Sequence, residues 1–212
     1  EHKKAKMIPD FISPDFLEYA VDKVKKQDYR IICINNGFDS RKNTKVAIKA
    51  FNCVRQRVPN AVLYMYGWGY EGGGDAHKWA CRNNLEEGIV FKGHVTKQEI
   101  KQSLLESSIL LHTSVEESFG LIYIEAMACK TVVVAGNNAG ATSWVLDNGN
   151  AGCLVNVYDE KAVAKKILQL FSDSGLREYY INNGLRQVKD KFNLRQVAEA
   201  YLEVYREIAD NK

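Results

Sequence analysis

The sequence predicts an α/β fold in which a parallel sheet is covered by helices on both faces. Apolar, β-rich runs alternate with helical patterns along most of the chain. The predicted strands are apolar at successive positions, which is typical of strands buried on both sides. With 212 residues, 46% of them hydrophobic and 26% charged, the chain is long enough for one good-sized domain.

The strands and helices follow one another in a regular order. The predicted strands cover 29–36, 61–67, 88–95, 108–114, 131–136 and 152–157. Helical patterns cover 43–58, 75–84, 97–107, 118–129, 159–173, 175–189 and 193–209. In the first helix, apolar residues at helical spacing, such as Ala47, Phe51 and Val54, share one face. The preceding stretch 6–16, which holds two of the three prolines, is expected to run along the edge as a connector.

Composition excludes several classes of function. The net charge of +3 gives no reason to expect binding to nucleic acid or to an anionic membrane. The five cysteines are widely spaced and form no C-x-x-C pair, which indicates reduced core thiols in a cytosolic protein. No apolar run is long enough to span a bilayer. Because the sequence begins without Met, we expect it to lack a natural N-terminal part.

Parallel sheets of this kind bind ligands at the carboxyl ends of their strands, where strand order reverses. The loop "VEESFG" lies at such an end and leads into the helix predicted at 118–129. A helix start offers free N–H groups to a phosphate, Ser118 is a candidate cap, and Gly120 allows close approach of a ligand. An ordinary capped helix, with a glycine for packing, is the alternative interpretation.

Glu125 is a single carboxylate in a helix that is otherwise almost entirely apolar. A buried carboxylate is costly unless something pairs with it, and the neighbouring turns supply no Lys or Arg. Its two oxygens suit the adjacent hydroxyls of a diol such as a ribose, although a cation from another loop would also satisfy it. Arg41 and Lys42 stand just before a helix, where Lys42 is a candidate phosphate ligand or else part of a solvated pair.

"GWGYEGGG" (67–74) matches the G-x-G-x-x-G pattern of a dinucleotide-binding oxidoreductase. The pattern belongs after the first strand of such a domain, but here it follows the second. The next helix is predicted to start near Asp75, beyond the third glycine, so its N-terminus would miss a pyrophosphate. Other signatures are missing from the sequence: there is no D-x-D, no G-x-x-x-x-G-K-[ST] and no G-x-S-x-G.

Together these segments resemble a known family. "ESFGLIYIE" (117–125) resembles the E-x7-E signature of the retaining glycosyltransferases of family 4, also called glycosyl transferases group 1, which have the two-domain GT-B fold. "IPDFISPDF", "IICINNGFDSRKNTKVAIKAF", "LYMYGWG", "VFKGHVTKQEI" and the last helix resemble further segments of that family in the same order. The resemblance therefore implies the Rossmann-like, C-terminal half of a GT-B fold.

The resemblance also implies roles for individual positions. Lys42, with Arg41 beside it, would hold the donor diphosphate, and Glu117 would lie by the donor sugar. Main-chain N–H groups of Ser118, Phe119, Gly120 and Leu121 would face sugar and phosphate, Glu125 would hold the ribose hydroxyls, and His94 and Val95 would border the nucleobase. Glu117 and Lys42 are thus the catalytic candidates. The resemblance also implies that no metal and no cofactor are needed, which is consistent with the missing D-x-D.

Two positions depart from the family pattern. Asn36 stands where the family often has an arginine, so one phosphate-binding cation is missing from the pattern. Ser143 stands where the family's acidic residue of G-G-x-x-E is expected. These changes put donor choice and activity in question.

We therefore predict a connector at 1–16, a nucleotide-sugar-binding domain at 17–190 and a C-terminal helix at 191–212. The function implied is transfer, with retention, of a sugar from a nucleotide-diphosphate sugar to a lipid-linked or saccharide acceptor, in polysaccharide or glycoconjugate biosynthesis. The partner implied is the missing N-terminal acceptor domain, through which a cytoplasmic protein would sit at a membrane. The isolated domain is expected to be inactive. The alternatives are a non-catalytic sugar-nucleotide-binding domain and, third, a dinucleotide-binding oxidoreductase.

Overall fold

A computed structural model describes residues 6–18 and 24–210. Its sheet has six strands in the order β3-β2-β1-β4-β5-β6, and all the strand pairs are parallel. The strands are β1 (Gln27–Ile34), β2 (Val62–Tyr66), β3 (Ile89–Gly93), β4 (Ser107–His112), β5 (Val132–Gly136) and β6 (Cys153–Val155). The predicted α/β class and all six predicted strands are confirmed.

Nine α-helices occur in the described ranges. They are α1 (Pro14–Glu18), α2 (Thr44–Arg55), α3 (Asp75–Arg82), α4 (Lys97–Glu106), α5 (Leu121–Ala128), α6 (Thr142–Val145), α7 (Glu160–Ser172), α8 (Ser174–Lys191) and α9 (Leu194–Asp210). Asp159 caps α7 by accepting hydrogen bonds from the N–H groups of Lys161 and Ala162. The sequence pattern did not predict α1 or α6. Both are short, and neither is long enough to show a helical period.

Two apolar clusters cover the two faces of the sheet. Helices α2, α3 and α7 pack on one face around Phe51 and Ile109. Helices α1, α4, α5 and α8 pack on the other face around Ile32 and Tyr123. This double burial explains why the strands read as continuous apolar runs.

The segment before β1 is fixed to the second face of the sheet. Ile12 and Phe16 are each 1% exposed, and the Ile12 N–H donates to the carbonyl of Phe192 at 2.7 Å. The predicted boundary at 191 falls at the end of α8, and α9 contributes one buried residue, Val197. Positions 1–5, 211 and 212 of the predicted connector and terminal helix lie outside the described residues, and the domain division remains a prediction.

Two further expectations concern the state of the cysteines and the presence of membrane-spanning helices. All five cysteines are free; Cys33, Cys129 and Cys153 are buried, whereas Cys81 is exposed and is not a core thiol. Within residues 6–18 and 24–210, no helix is long and apolar enough to cross a membrane.

Candidate functional site

The loops after β1 and β4 leave the sheet at the point where its strand order reverses. β1 pairs with β2 on one side and with β4 on the other, while the chain continues outward in opposite directions from these two strands. Ligands of open α/β sheets bind in the crevice that this arrangement creates. The sheet therefore brings the loop of Lys42 and the loop of Glu117 together, although 74 residues separate them in sequence.

Hydrogen bonds join these two loops directly. The Val115 N–H donates to the Arg41 carbonyl at 2.8 Å, and the Thr113 hydroxyl donates to the carbonyl of Asn43 at 3.1 Å. The Ser114 hydroxyl donates to Asn35 Oδ1 at 3.3 Å. These hydrogen bonds hold the two loops to each other and to the strand ends, and so set the relative position of their side chains.

A cleft of about 590 Å³ opens between these loops and the loop after β5. Its lining residues are Arg41, Lys42, Val115, Glu116, Glu117, Ser118, Asn138 and Gly140. Four of the predicted site residues thus meet in one place. Asn138 and Gly140, which follow β5, were not predicted.

Glu117 is the half-buried carboxylate of this cleft. Its Oε2 lies 3.2 Å from Nε2 of His112, a residue at the end of β4 that the sequence did not single out. This hydrogen bond lowers the pKa of the Glu117 carboxyl, with help from the charge of Lys42 and the Ser118 N–H, while burial opposes the shift. Glu117 is therefore ionised at neutral pH, and it faces a lysine across the cleft.

Of the two basic side chains before α2, Arg41 and Lys42, only Arg41 forms an ion pair with Asp39. The Asp39 carboxylate accepts hydrogen bonds from the N–H groups of Arg41 and Lys42 at 2.9 and 3.0 Å, and it pairs with the Arg41 guanidinium at 3.1 Å. The backbone N–H of Lys42 and the Arg41 side chain lower the pKa of Asp39. Arg41 is thus partly neutralised, whereas Lys42 forms no ion pair with any residue that the structure describes.

Helix α5 begins later than predicted, and the expectation that Ser118 caps it is wrong. Gly120 is the capping position, with φ 86°, and no side chain caps the helix. A Cβ at Gly120 would lie 2.4 Å from the ring of Tyr123, so glycine is required there for conformation and for space. In the first turn of α5, the Tyr123 N–H donates to the Gly120 carbonyl at 2.8 Å. The N–H groups of Leu121 and Ile122 have no partner within the helix. Phe119 packs against Trp144 and Phe192.

Glu125 lies on α5, and burial raises the pKa of its carboxyl. The structure supplies a cation that the neighbouring turns lack, because the charge of Lys97 on α4 acts on Glu125 and opposes that shift. No hydrogen bond or ion pair reaches the Glu125 side chain from the described ranges. The nearby lysine therefore moderates the cost of burial but leaves the carboxylate oxygens available.

His94 and Val95 follow β3, and an aromatic residue stands beside them. The His94 ring stacks on Trp68 with a centroid distance of 4.6 Å and an interplanar angle of 8°. Trp68 is 62% exposed and follows β2, so both rings lie at the carboxyl edge of the sheet. Trp68 was not predicted as a site residue, although a tryptophan in a glycine-rich loop at a strand end was a visible signal.

A family model, Glycosyl transferases group 1, matches residues 15–187. The chain belongs to this glycosyltransferase family. The D-inositol 3-phosphate glycosyltransferase of Streptomyces bingchenggensis (strain BCW-1) is 33% identical over 131 residues, which are 62% of this chain and 28% of that protein. The family assignment does not favour the alternative of a dinucleotide-binding oxidoreductase, and α3 indeed begins at Asp75, beyond the third glycine of the G-x-G-x-x-G pattern.

Solved glycosyltransferase structures share the fold. A glycosyltransferase from Rickettsia africae ESF-5 superposes with a TM-score of 0.82 at 22% identity, over 100% of this chain and 59% of that one. A variant of S. aureus TarM, crystallised with Fondaparinux, alpha-GlcNAc-glycerol and UDP, gives a TM-score of 0.78 at 23% identity, over 94% of this chain and 39% of that one. The predicted Rossmann-like half of a GT-B fold is confirmed, and the chain spans less than two thirds of these relatives.

Both departures from the glycosyltransferase pattern have a structural use in this chain. Asn36 Oδ1 accepts a hydrogen bond from the Trp68 N–H at 3.2 Å, so it fixes the loop that carries the exposed ring. The Ser143 hydroxyl donates to the Asn137 carbonyl at 3.0 Å. No group of three His, Cys, Asp or Glu side chains suited to a metal occurs in the ranges that the structure covers.

Gly140 supports the backbone of Glu117 in this glycosyltransferase chain. The Ala141 N–H donates to the Glu117 carbonyl at 3.1 Å, and a Cβ at Gly140, whose φ is +57°, would lie 2.0 Å from that oxygen. We expect Gly140→Ala to lower the free energy of unfolding by about 3 kcal/mol, because a left-handed non-glycine residue costs roughly 1–3 kcal/mol before any clash. Thermal unfolding measures the loss.

Gly73→Ala is the matched control for this substitution. Gly73 has φ +79°, and a Cβ there would meet nothing within 4 Å, so the variant carries the conformational cost without the clash. We expect it to lose about 1 kcal/mol. Equal losses in the two variants would show that contact with Glu117 adds nothing.

Proposed function

We propose that this chain binds the nucleotide-diphosphate sugar donor of a glycosyltransferase that transfers the sugar with retention. The observation that carries the proposal is the placement of Lys42 and the ionised Glu117 in one cleft at the point where strand order reverses. A cation suits a diphosphate, and a carboxylate suits sugar hydroxyls or a developing positive charge at the sugar. The family assignment supports transferase chemistry at this site.

The cleft has groups for the diphosphate and for the sugar of such a donor. Lys42 and the free N–H groups at the start of α5 stabilise the charge that develops on the leaving diphosphate, which needs no metal. Arg41, held by Asp39, adds positive charge at the rim. Glu117 lies by the donor sugar, and together with Lys42 it forms the catalytic pair of the proposal.

Glu125, His94 and Val95 extend the proposed donor site away from the cleft. Glu125 accepts two hydrogen bonds from the ribose hydroxyls, since its oxygens have no other partner in the described part of the chain. The stacked rings of Trp68 and His94 offer a flat apolar surface to a nucleobase. That TarM was crystallised with UDP supports a nucleoside diphosphate as the class of ligand.

The partner in the proposal is an N-terminal half that carries the acceptor, a saccharide or a lipid-linked molecule. A GT-B site closes between two halves, so we expect no sugar transfer from the 212-residue chain alone. A non-catalytic donor-binding domain is the second candidate, and the specific observation in its favour is that Asn36 and Ser143 replace the expected charged residues. Sugar transfer by the complete protein separates the two.

We expect the chain to bind a nucleoside diphosphate in EDTA, and we expect Lys42→Ala to weaken that binding. Hydrogen bonds to charged groups are worth about 1.5–3 kcal/mol, so affinity should fall by roughly ten- to a hundredfold. Lys49→Ala is the control. Lys49 is exposed on α2, so this substitution removes a positive charge that lies outside the cleft. Isothermal titration calorimetry with UDP, GDP and ADP measures each affinity. Binding that disappears in EDTA and returns with Mn²⁺ would contradict the proposal.

A further inference from the structure

His112 is a buried histidine that the proposed function leaves without a role. It is the last residue of β4, and only 3% of its side chain is exposed. We infer that His112 is the positioning residue of Glu117: its Nε2–H holds one carboxylate oxygen and so fixes the carboxylate at the cleft. The inference rests on the proposed role of Glu117 at the donor sugar.

The core holds the His112 ring in place. β4 pairs with β1 and β5, and His112 is in register with Ala135 of β5. The ring meets the edge of Tyr123 at a centroid distance of 5.1 Å and an angle of 89°, and the Tyr123 hydroxyl lies 3.3 Å from Thr142 Oγ1. Because backbone and ring are both constrained, the core sets the position of Nε2.

The environment of Nδ1 indicates which ring nitrogen of His112 carries the proton. Nδ1 is buried and has no hydrogen-bond partner among the residues that the structure describes. A proton on Nδ1 would leave a buried donor unsatisfied, and the lone pair of Nε2 would then face the carboxylate of Glu117. The tautomer with the proton on Nε2 avoids both costs, so His112 donates to Glu117 at 3.2 Å.

Few other titratable groups act on Glu117. Lys42 faces it from the loop after β1, and Tyr123 interacts with it from α5. The loop 137–141 after β5 contributes only Asn, Ala and Gly side chains. The direct hydrogen bond from His112 is therefore the contact whose removal should change the titration of Glu117 most.

If His112 only filled space in the core, its replacement would have a different effect on the titration of Glu117. Its replacement by an apolar ring would change stability but not the ionisation of a neighbouring carboxyl. A positioning histidine instead leaves a signature on Glu117 itself, because a hydrogen bond to the charged form favours that form. The Glu117 titration is thus the readout that separates the two roles.

The experiment follows the side-chain carboxyl of Glu117 by ¹³C NMR as a function of pH in the 212-residue chain. The variants are His112→Gln, whose amide places a donor near the position of Nε2, and His112→Phe, which keeps a ring but has no donor. We expect the pKa of Glu117 to rise in the Phe variant, because the hydrogen bond that lowers it is lost, and to stay low in the Gln variant. In His112→Asn the shorter amide does not reach the Nε2 position, so the pKa of Glu117 should rise as in the Phe variant. This variant replaces His112→Phe in the test if the Phe variant does not fold.

A Glu117 titration unchanged in both the Phe and Asn variants would overturn the inference, as would a Gln variant that behaves like Phe. The titration needs no ligand, so its outcome is independent of whether a nucleotide sugar binds. Calorimetry with a nucleoside diphosphate in the same samples tests the proposed function separately. Failure of nucleotide binding would overturn the donor role and leave the His112–Glu117 result intact.

Discussion

Replacing Glu125 by glutamine is expected to weaken nucleoside diphosphate binding by roughly ten- to a hundredfold while leaving the fold at least as stable. Glutamine keeps the shape and one acceptor but loses the charge, and hydrogen bonds to charged groups are worth about 1.5–3 kcal/mol. Burial raises the pKa of the Glu125 carboxyl, so ionised Glu125 costs folding energy that glutamine does not. Thermal unfolding and calorimetry on the same samples measure both effects.

The pH dependence gives the Glu125 prediction a second test. A carboxyl whose folded pKa lies above its unfolded value favours folding when protonated and loses that advantage as pH rises through the folded pKa. The stability gain of Glu125→Gln should therefore appear at neutral pH and vanish below the ordinary value of 4.5. Glu178→Gln, an exposed change on α8, is the control and should alter neither stability nor affinity.

A different outcome would assign Glu125 a structural role. If its carboxylate were held mainly by a cation such as Lys97, the glutamine variant would strand that cation, and breaking a buried pair costs about 3–5 kcal/mol. A large loss of stability with unchanged nucleotide affinity would therefore refute the ribose role. The structure favours the ribose role, since no ion pair joins Glu125 to Lys97 or to another described residue.

Lys26→Met is expected to cost about 3 kcal/mol of stability and to leave nucleotide affinity unchanged. Lys26 Nζ donates to the carbonyls of Leu104, Leu105 and Ser107 at 3.1, 3.2 and 2.8 Å, and lies 2.9 Å from Thr131 Oγ1. The Leu104 carbonyl also accepts from the Ser107 N–H and from the Thr131 hydroxyl. The Leu105 carbonyl, in the last turn of α4, therefore depends most on Lys26. Leaving a buried acceptor unsatisfied costs about 1–3 kcal/mol.

Thermal unfolding measures this loss, and the site provides an independent readout. For a chain of this size a loss of about 3 kcal/mol lowers the melting temperature by roughly 6–12 °C. Lys26 precedes β1 and so lies at the amino ends of the strands, away from the cleft, which is why calorimetry should show unaltered nucleotide binding. Lys25→Met makes the same replacement at an exposed neighbour; if it cost as much as Lys26→Met, the four contacts would not be the cause.

The sequence by itself determined the six strands, seven of the nine helices that the structure describes, and the family. Strand and helix positions followed from apolar runs and from helical spacing, because these depend on residues close together in the chain. The spacing from Glu117 to Glu125 and the order of the other segments indicated the family. The G-x-G-x-x-G pattern could also be rejected from nearby residues alone, since they indicate that α3 starts at Asp75.

Only the tertiary structure decided how these elements meet. The strand order places Lys42 opposite Glu117, and Gly120 rather than Ser118 caps α5. Packing brings Lys97 towards Glu125 and His112 against Glu117. Each of these contacts joins side chains through three-dimensional packing that no periodic pattern records. Hydrophobic periodicity fixes which face of an element is buried, but not which distant side chain it will face there.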